Sequence, residues 1–356
     1  MNNKITFFIF LLITGVTSKA QNKFDAYDFQ TIDSFIKTVK YEKDIIKLSQ
    51  DLTKPYTDNI YKVRAIFRWI TENIAYDYKF INKGKAIKKP HCESVVDCSQ
   101  RIAEWKEQYI KAVLKKKKGI CGGYAELFKR LCDLNNIKCE IIEGYVKNKP
   151  YHVGNPLSVN HAWNAVMIDS VWYYLDPTWA AGGCAEDEET GKLLKYQKGY
   201  GNYYWLTPYS RLSRNHYPDN SKWIEKPAFV KQIFFNKPFY YTTQILENIY
   251  DEKPDSGVLQ LKKGDTIHFN FRYKKNITQL QINSNTFRNP SLWYKDEKSR
   301  KMMLDTLALK RQVYIPFKKS GDTYTFDYVV NEKSLYYIEL LFDYNKAIRY
   351  RIKIVE

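Results

Sequence analysis

The stretch "KKKKGICGGYAELFKRLC", residues 115–132, sets Cys121 directly after a glycine turn and at the start of an apolar helical spacing. A cysteine there can be a packing residue, half of a disulfide or a nucleophile. The third use needs the thiolate, which is favoured by the N–H groups and positive dipole end of a first helical turn and by an imidazole that takes the proton. Position alone meets the first condition. Gly119, Gly122 and Gly123 allow a sharp turn and close approach of a substrate backbone to the sulfur, and their N–H groups are candidates for holding an oxyanion.

The second condition directs attention to the five histidines. His161, in "NHAWNAVMI", begins a run that reads as a strand, and Asp176 closes the next such run in "WYYLDPTW". Asp169 and Ser170 between the runs make a two-residue hairpin, so the strands pair antiparallel and bring His161 close to Asp176. An aspartate bonded to one ring nitrogen fixes the tautomer and leaves the other nitrogen for a thiol. Cys121, His161 and Asp176 are therefore the candidate catalytic residues.

These side chains need elements to hold them. Ile60, Val63, Phe67, Ile70 and Ile74 have the spacing of a helix with one buried face over residues 58–75. Ile102, Trp105, Tyr109, Val113 and Leu114 predict a second helix ending at Gly119, and a third runs from Cys121 to Asn135 and Asn136. Strand-like runs follow, so helices precede an antiparallel sheet, the order of an α+β domain. Beyond a boundary near Pro227, seven candidate strands read as a β-sandwich: "FYYTTQIL", "GVLQLKKGDTIHFNFRY", "ITQLQIN", "VYIPF", "TYTFDYVV", "SLYYIELLFD" and "IRYRIKIVE". The expected division is a leader at 1–20, a catalytic domain at 21–226 and an immunoglobulin-like sandwich at 227–356.

The blocks "KKKKGICGGYAELFKRLC", "NHAWNAVMIDSVWYYLDPTW" and "YYWLTPYSRLSRNHYPD" resemble the bacterial transglutaminase-like superfamily, especially its branch similar to the kyphoscoliosis peptidase, over roughly Asp58 to Trp223. The resemblance implies a papain-like core in which Cys121 matches the nucleophile, His161 the general base and acid, and Asp176 the residue that orients the histidine. "ITENIAYDY" looks like the family's helix-end motif and implies that Tyr76 or Tyr78 lies near the cleft, without a catalytic role. His216, in "NHYPD", resembles a family position and is read as structural. The activity implied is thiol-dependent acyl transfer on peptide or amide bonds, hydrolysis being favoured over cross-linking. The alternative is a non-catalytic module on the same fold that binds cell-envelope peptides or glycans.

The opening "MNNKITFFIFLLITGVTSKAQ" has a lysine, an apolar run and small residues at Ser18 and Ala20, the pattern of an export signal cleaved after Ala20. No other run approaches the roughly 20 apolar residues of a membrane span. An exported, periplasmic or extracellular protein acting on peptide or protein substrates is expected. The formal charge is +18 with lysine spread along the whole chain, and the densest run, Lys115–Lys118, sits at a helix end that favours cations. No nucleic-acid partner is read from it. Of the six cysteines, Cys92 and Cys98 share an insertion and are placed to close a small ring, and Cys132 is read as packing. The acidic loop Glu186 to Glu189 reads by default as solvated, the alternatives being attraction of a cationic substrate group near the cleft or weak calcium binding. No phosphate loop, serine elbow or zinc helix is present, and one Cys, one His and one Asp make a poor metal set, so no cofactor or metal is expected.

Overall fold

A computed structural model of the chain describes residue 24 and residues 27–91, 95–187, 189–297 and 299–355. The expected leader and cleavage point, and Cys92, lie outside the described residues. Helix α1 (Asn59–Asn73) buries the expected stripe of Ile60, Val63, Phe67 and Ile70, with Ile74 just beyond it. Helix α2 (Val95–Lys116) begins about two turns before the expected start, so the second half of "KKPHCESVVDCSQR", the segment that read as an insertion, is helical. It ends before the expected Gly119, at Lys116, because Lys117 takes a left-handed φ of 51°. Residues Lys118–Gly119 then pair in parallel with Ala75–Tyr76. Helix α3 (Cys121–Asp133) stops where Asn136 adopts φ 56°, a conformation asparagine tolerates better than most residues.

Four antiparallel strands lie against α3: β1 (Cys139–Val146), β2 (His161–Ile168), β3 (Val171–Leu175) and β4 (His216–Pro218), in the order β3-β2-β1-β4. Asp169 and Ser170 have φ of 50° and 64°, the hairpin conformation whose twist matches that of paired strands. The resulting register sets Ile168 opposite Val171 and Asn164 opposite Leu175. The run that read as one strand through Trp179 breaks at Asp176, which caps a short helix, α4 (Pro177–Ala181). Proline at the first helical position needs no N–H partner, so the break is built into "DPTW".

Besides a two-stranded sheet that pairs Trp293–Lys295 with Met302–Leu304, the C-terminal region holds two large sheets. One joins β6 (Ile249–Lys253), β8 (Thr266–Tyr273), β11 (Thr323–Val329) and β10 (Lys318–Ser320); the other joins β7 (Val258–Leu261), β13 (Asn345–Ile354), β12 (Tyr337–Phe342) and β9 (Leu280–Ser284), with β5 (Phe239–Tyr240) beside β13. Phe269 and Phe271 from one sheet meet Tyr350 and Phe342 from the other at centroid distances of 5.5 and 5.2 Å. The fold is α+β with an all-β region after it. Two candidate strands fail: "FYYTTQIL" becomes a two-residue strand and a helix over Thr243–Asn248 capped by Thr242, and "VYIPF" is irregular. Between the regions, buried Lys147 donates from Nζ to the carbonyls of Phe234, Lys237 and Pro238 at 3.0, 2.9 and 3.1 Å. Among the described residues no helix is long and apolar enough to cross a membrane.

Candidate active site

Cys121 is the first residue of α3 and is half-buried, with a free thiol. Two bonds hold its helix: Tyr124 Oη donates to Ile74 O at 2.6 Å, and Asn164 Nδ2 donates to Ala125 O at 3.1 Å. The glycines serve packing more than turning, since none of Gly119, Gly122 and Gly123 has a positive φ. A Cβ on Gly123 would lie 2.9 Å from Val113 Cγ2 and 3.0 Å from Tyr109 Oη, so glycine there lets α2 and α3 approach. The Gly123 N–H bonds to Ile120 O at 2.8 Å and is not available to an oxyanion, unlike the donors at the very start of the helix. Tyr109 Oη is buried without a partner among the described residues and lies against this first turn.

His161 opens β2, and Asp176 caps α4. Continued regularly, β3 would set Asp176 opposite Trp163, a diagonal neighbour of His161 on the same sheet face. The cap turns the carboxylate so that each oxygen has two donors. Asp176 Oδ1 accepts from the Thr178 and Trp179 N–H groups at 2.8 and 3.0 Å. Asp176 Oδ2 contacts His161 Nε2 at 2.6 Å and His216 Nε2 at 3.1 Å. With Nε2 committed, Nδ1 is the nitrogen His161 has left for the sulfur. Trp163, Trp179 and His216 surround the imidazole at centroid distances of 6.1, 5.6 and 5.5 Å.

Burial of the His161 imidazole opposes its charge, but the charge and hydrogen bond of Asp176, with a contribution from Cys121, push it up to about 10. Burial likewise opposes the Cys121 thiolate; hydrogen bonding and charge from His161, helped by the Ala162 N–H, outweigh it and lower the thiol. Asp176 is held well below the usual carboxylate range despite its burial, by His161 first and His216 second. Burial lowers His216 to about 4 against the pull of Asp176, so it stays neutral. The two imidazoles are pushed in opposite directions, although both touch the same oxygen.

The sequence-based expectations on residue roles divide here. Cys121, His161 and Asp176 converge. His216, read as structural, lies directly on Asp176; the signal for that contact was the "NHYPD" block, but nothing in its local pattern specifies the partner. Tyr76 lines the groove beside the site, whereas Tyr78 starts a short helix. Cys132 is fully buried and free, as is Cys139 beside it, and burial pushes the Cys132 thiol well up. Cys98 is disulfide-bonded. In the acidic loop Glu186 ion-pairs with Lys149 and Asp187 accepts from Thr190, so those two side chains are engaged locally. The donor count for a metal also changes, because the donor atoms of His161, Asp176 and His216 lie within 4.8 Å of one another. They meet at hydrogen-bond distance, so an ion would have to displace the contacts that orient His161.

His161 faces a groove of about 1100 Å³ that continues past Trp179 to the C-terminal sheet. A family model described as "Transglutaminase-like superfamily" matches residues 46–177, which include Cys121, His161 and Asp176. The chain is similar to the human kyphoscoliosis peptidase, 27% identical over 245 residues that make up 67% of this chain and 33% of that protein. It is similar to Hillarin of Drosophila melanogaster at 26% identity over 236 residues, 62% of this chain and 26% of the relative. The chain thus spans a third or less of the length of these relatives. A crystal structure of a TGase overlaps 53% of this chain and 40% of its own, at 17% identity and a TM-score of 0.26.

Proposed function

The chain carries a transglutaminase-like superfamily domain over residues 46–177, and from that premise we propose that it is an exported thiol-dependent acyl-transfer enzyme acting on peptide or amide bonds. The observation that carries this reading is geometric, with His161 Nε2 held 2.6 Å from Asp176 Oδ2 so that Nδ1 is left for the Cys121 sulfur at the first turn of α3. This setting displaces the Cys121 thiol downward and the His161 imidazole upward. Both displacements favour a thiolate beside an imidazolium at neutral pH.

In the proposed cycle the Cys121 thiolate attacks the amide carbonyl carbon. The C–N bond breaks, the leaving amine takes a proton from His161, and a thioester remains. Water, deprotonated by His161, attacks the thioester and releases the acid and the thiolate. A second amine in place of water would make a cross-link; hydrolysis is the favoured outcome. Asp176 holds His161 in the tautomer that turns Nδ1 to the sulfur, and His216 holds Asp176. The first N–H groups of α3 and the Tyr109 hydroxyl are the proposed oxyanion donors.

The test is incubation of the full chain with labelled peptides, with and without a primary amine, and identification of products by mass. Wild type should cleave and Cys121→Ala should not. Near pH 6, iodoacetamide should alkylate Cys121 far faster than a free thiol; ordinary thiol kinetics would instead favour a binding module.

A further inference from the structure

The groove that begins at His161 and Trp179 ends on the C-terminal sheet, where Tyr241, Arg288, Lys346 and Arg349 line it. Two strands build that end. In β12 and β13, Ile338, Leu340, Ile348 and Tyr350 face the sandwich core and are almost fully buried. The alternate positions carry an ordered polar network. Arg349 stands opposite Glu339 and donates to Glu339 Oε1 at 2.9 Å. The Tyr241 hydroxyl donates to the same carboxylate oxygen. The Arg349 guanidinium lies 3.7 Å over the Tyr337 ring, whose hydroxyl accepts from Arg288 Nη2 at 2.7 Å.

Glu339 is only 3% exposed, a costly place for a carboxylate unless it orders something. Here it fixes Arg349 and Tyr241 in the groove wall. Charge is distributed unevenly along the groove. Near the catalytic end, Lys149 pairs with Glu186 and Lys198 with Glu72, while Lys147 is spent on three carbonyls. At the far end Arg288, Lys346 and Arg349 line the groove, and among the described lining residues there the carboxylate is that of Glu339. Guanidinium groups held in place by stacking and hydrogen bonds are suited to a planar carboxylate.

We propose that the C-terminal sheet supplies a substrate subsite for a carboxylate, so that the preferred substrate is an acidic peptide lying along the groove with its reacting amide at Cys121. This inference rests on the acyl-transfer reading for the position of the amide, but not for the binding of the carboxylate. The carboxylate is that of an acidic side chain or of a chain terminus, which share the same recognition chemistry.

Binding can be measured without turnover on the full chain carrying Cys121→Ala, by anisotropy of rhodamine-labelled hexapeptides. One carries a glutamate and an amidated end, one a free C-terminal carboxylate and no acidic side chain, and one neither. At least one acidic peptide should bind roughly tenfold more tightly than the neutral one, and added salt should erode the difference. The tighter of the two identifies the source of the carboxylate. Exposed Lys346, changed by Lys346→Glu, should remove that preference and leave neutral-peptide binding unchanged; Arg288→Gln should act in the same direction. Equal binding of all three peptides, no binding by either acidic one, or a preference that survives both substitutions overturns the subsite. Failure of the acyl-transfer reading looks different: charge-dependent binding persists, but the chain with Cys121 intact neither cleaves nor aminates the bound peptide.

Discussion

The two parts of this molecule bury polar side chains in opposite ways. In the sandwich, β8 follows simple alternation, with Ile267, Phe269, Phe271 and Tyr273 inward and His268 and Asn270 exposed. Around the α+β sheet, Asp176, His161, His216 and Asn164 are all buried, and each has a partner. Even α1 buries Arg64 and Arg68 against Asp33, at 2.8 and 3.0 Å. Buried charged and titratable groups gather where chemistry is proposed, whereas the sandwich buries mainly neutral polar groups, Gln281, Asn283 and Ser284 on β9, with the carboxylate of Glu339 on β12 where the sheet meets the groove.

That contrast can be broken by substitution. The largest effect on activity should come from Asp176→Asn. Its amide oxygen can still accept the two N–H groups that cap α4, but its NH2 group would face His161 Nε2 and select the tautomer with the proton on Nδ1. We expect kcat to fall by roughly 10³–10⁴-fold with little change in melting temperature. Wild-type turnover should fall as pH rises through about 10, where His161 loses the proton it gives to the leaving amine. The variant's alkaline limb should move down towards the ordinary histidine range, and an unmoved limb would remove Asp176 from the role.

Phe271→Ala should do the reverse. It empties a site between Tyr324 and Phe342 and should cost about 3–5 kcal/mol in urea unfolding, with kcat unchanged while the protein is folded. A loss of kcat as large as the loss of stability would mean that the parts do not divide the labour as argued. Tyr109→Phe removes a buried hydroxyl that has no partner among the described residues, so stability should hold while kcat drops by roughly 10²-fold with KM steady. Equal kcat would leave the oxyanion to the backbone alone.

The smallest expected effect is that of His216→Gln. Glutamine can still donate to Asp176, so kcat should fall by roughly tenfold, while His216→Leu, which cannot, should fall by about a further tenfold. Equal losses in the two variants would make His216 a space-filler, as its sequence context suggested.

Much of the candidate site was legible because its determinants are local. A two-residue turn fixes the register of β2 against β3, and the apolar spacing of α3 fixes which end of the helix carries Cys121. Local pattern failed where the next turn of chain mattered. "DPTW" reads as the end of a strand, yet Asp176 serves as a helix cap, and the cap aims its second oxygen at the imidazoles. Asp before Pro commonly caps a turn and Asp beside an imidazole orients it, and the structure joins the two roles in one residue.

From the sequence alone came the helix faces, the β2–β3 hairpin, the alternation of the sandwich strands and the three residue types suited to thiol chemistry, because periodicity and turn length are encoded within a few residues of each other. Tertiary structure decided which surfaces meet. It set His216 on the oxygen that already serves His161, buried Arg64 and Arg68 against Asp33, and extended the groove from α3 to β12 and β13. Such contacts depend on how whole faces pack across the chain, and no local spacing records which distant face will fill a given gap.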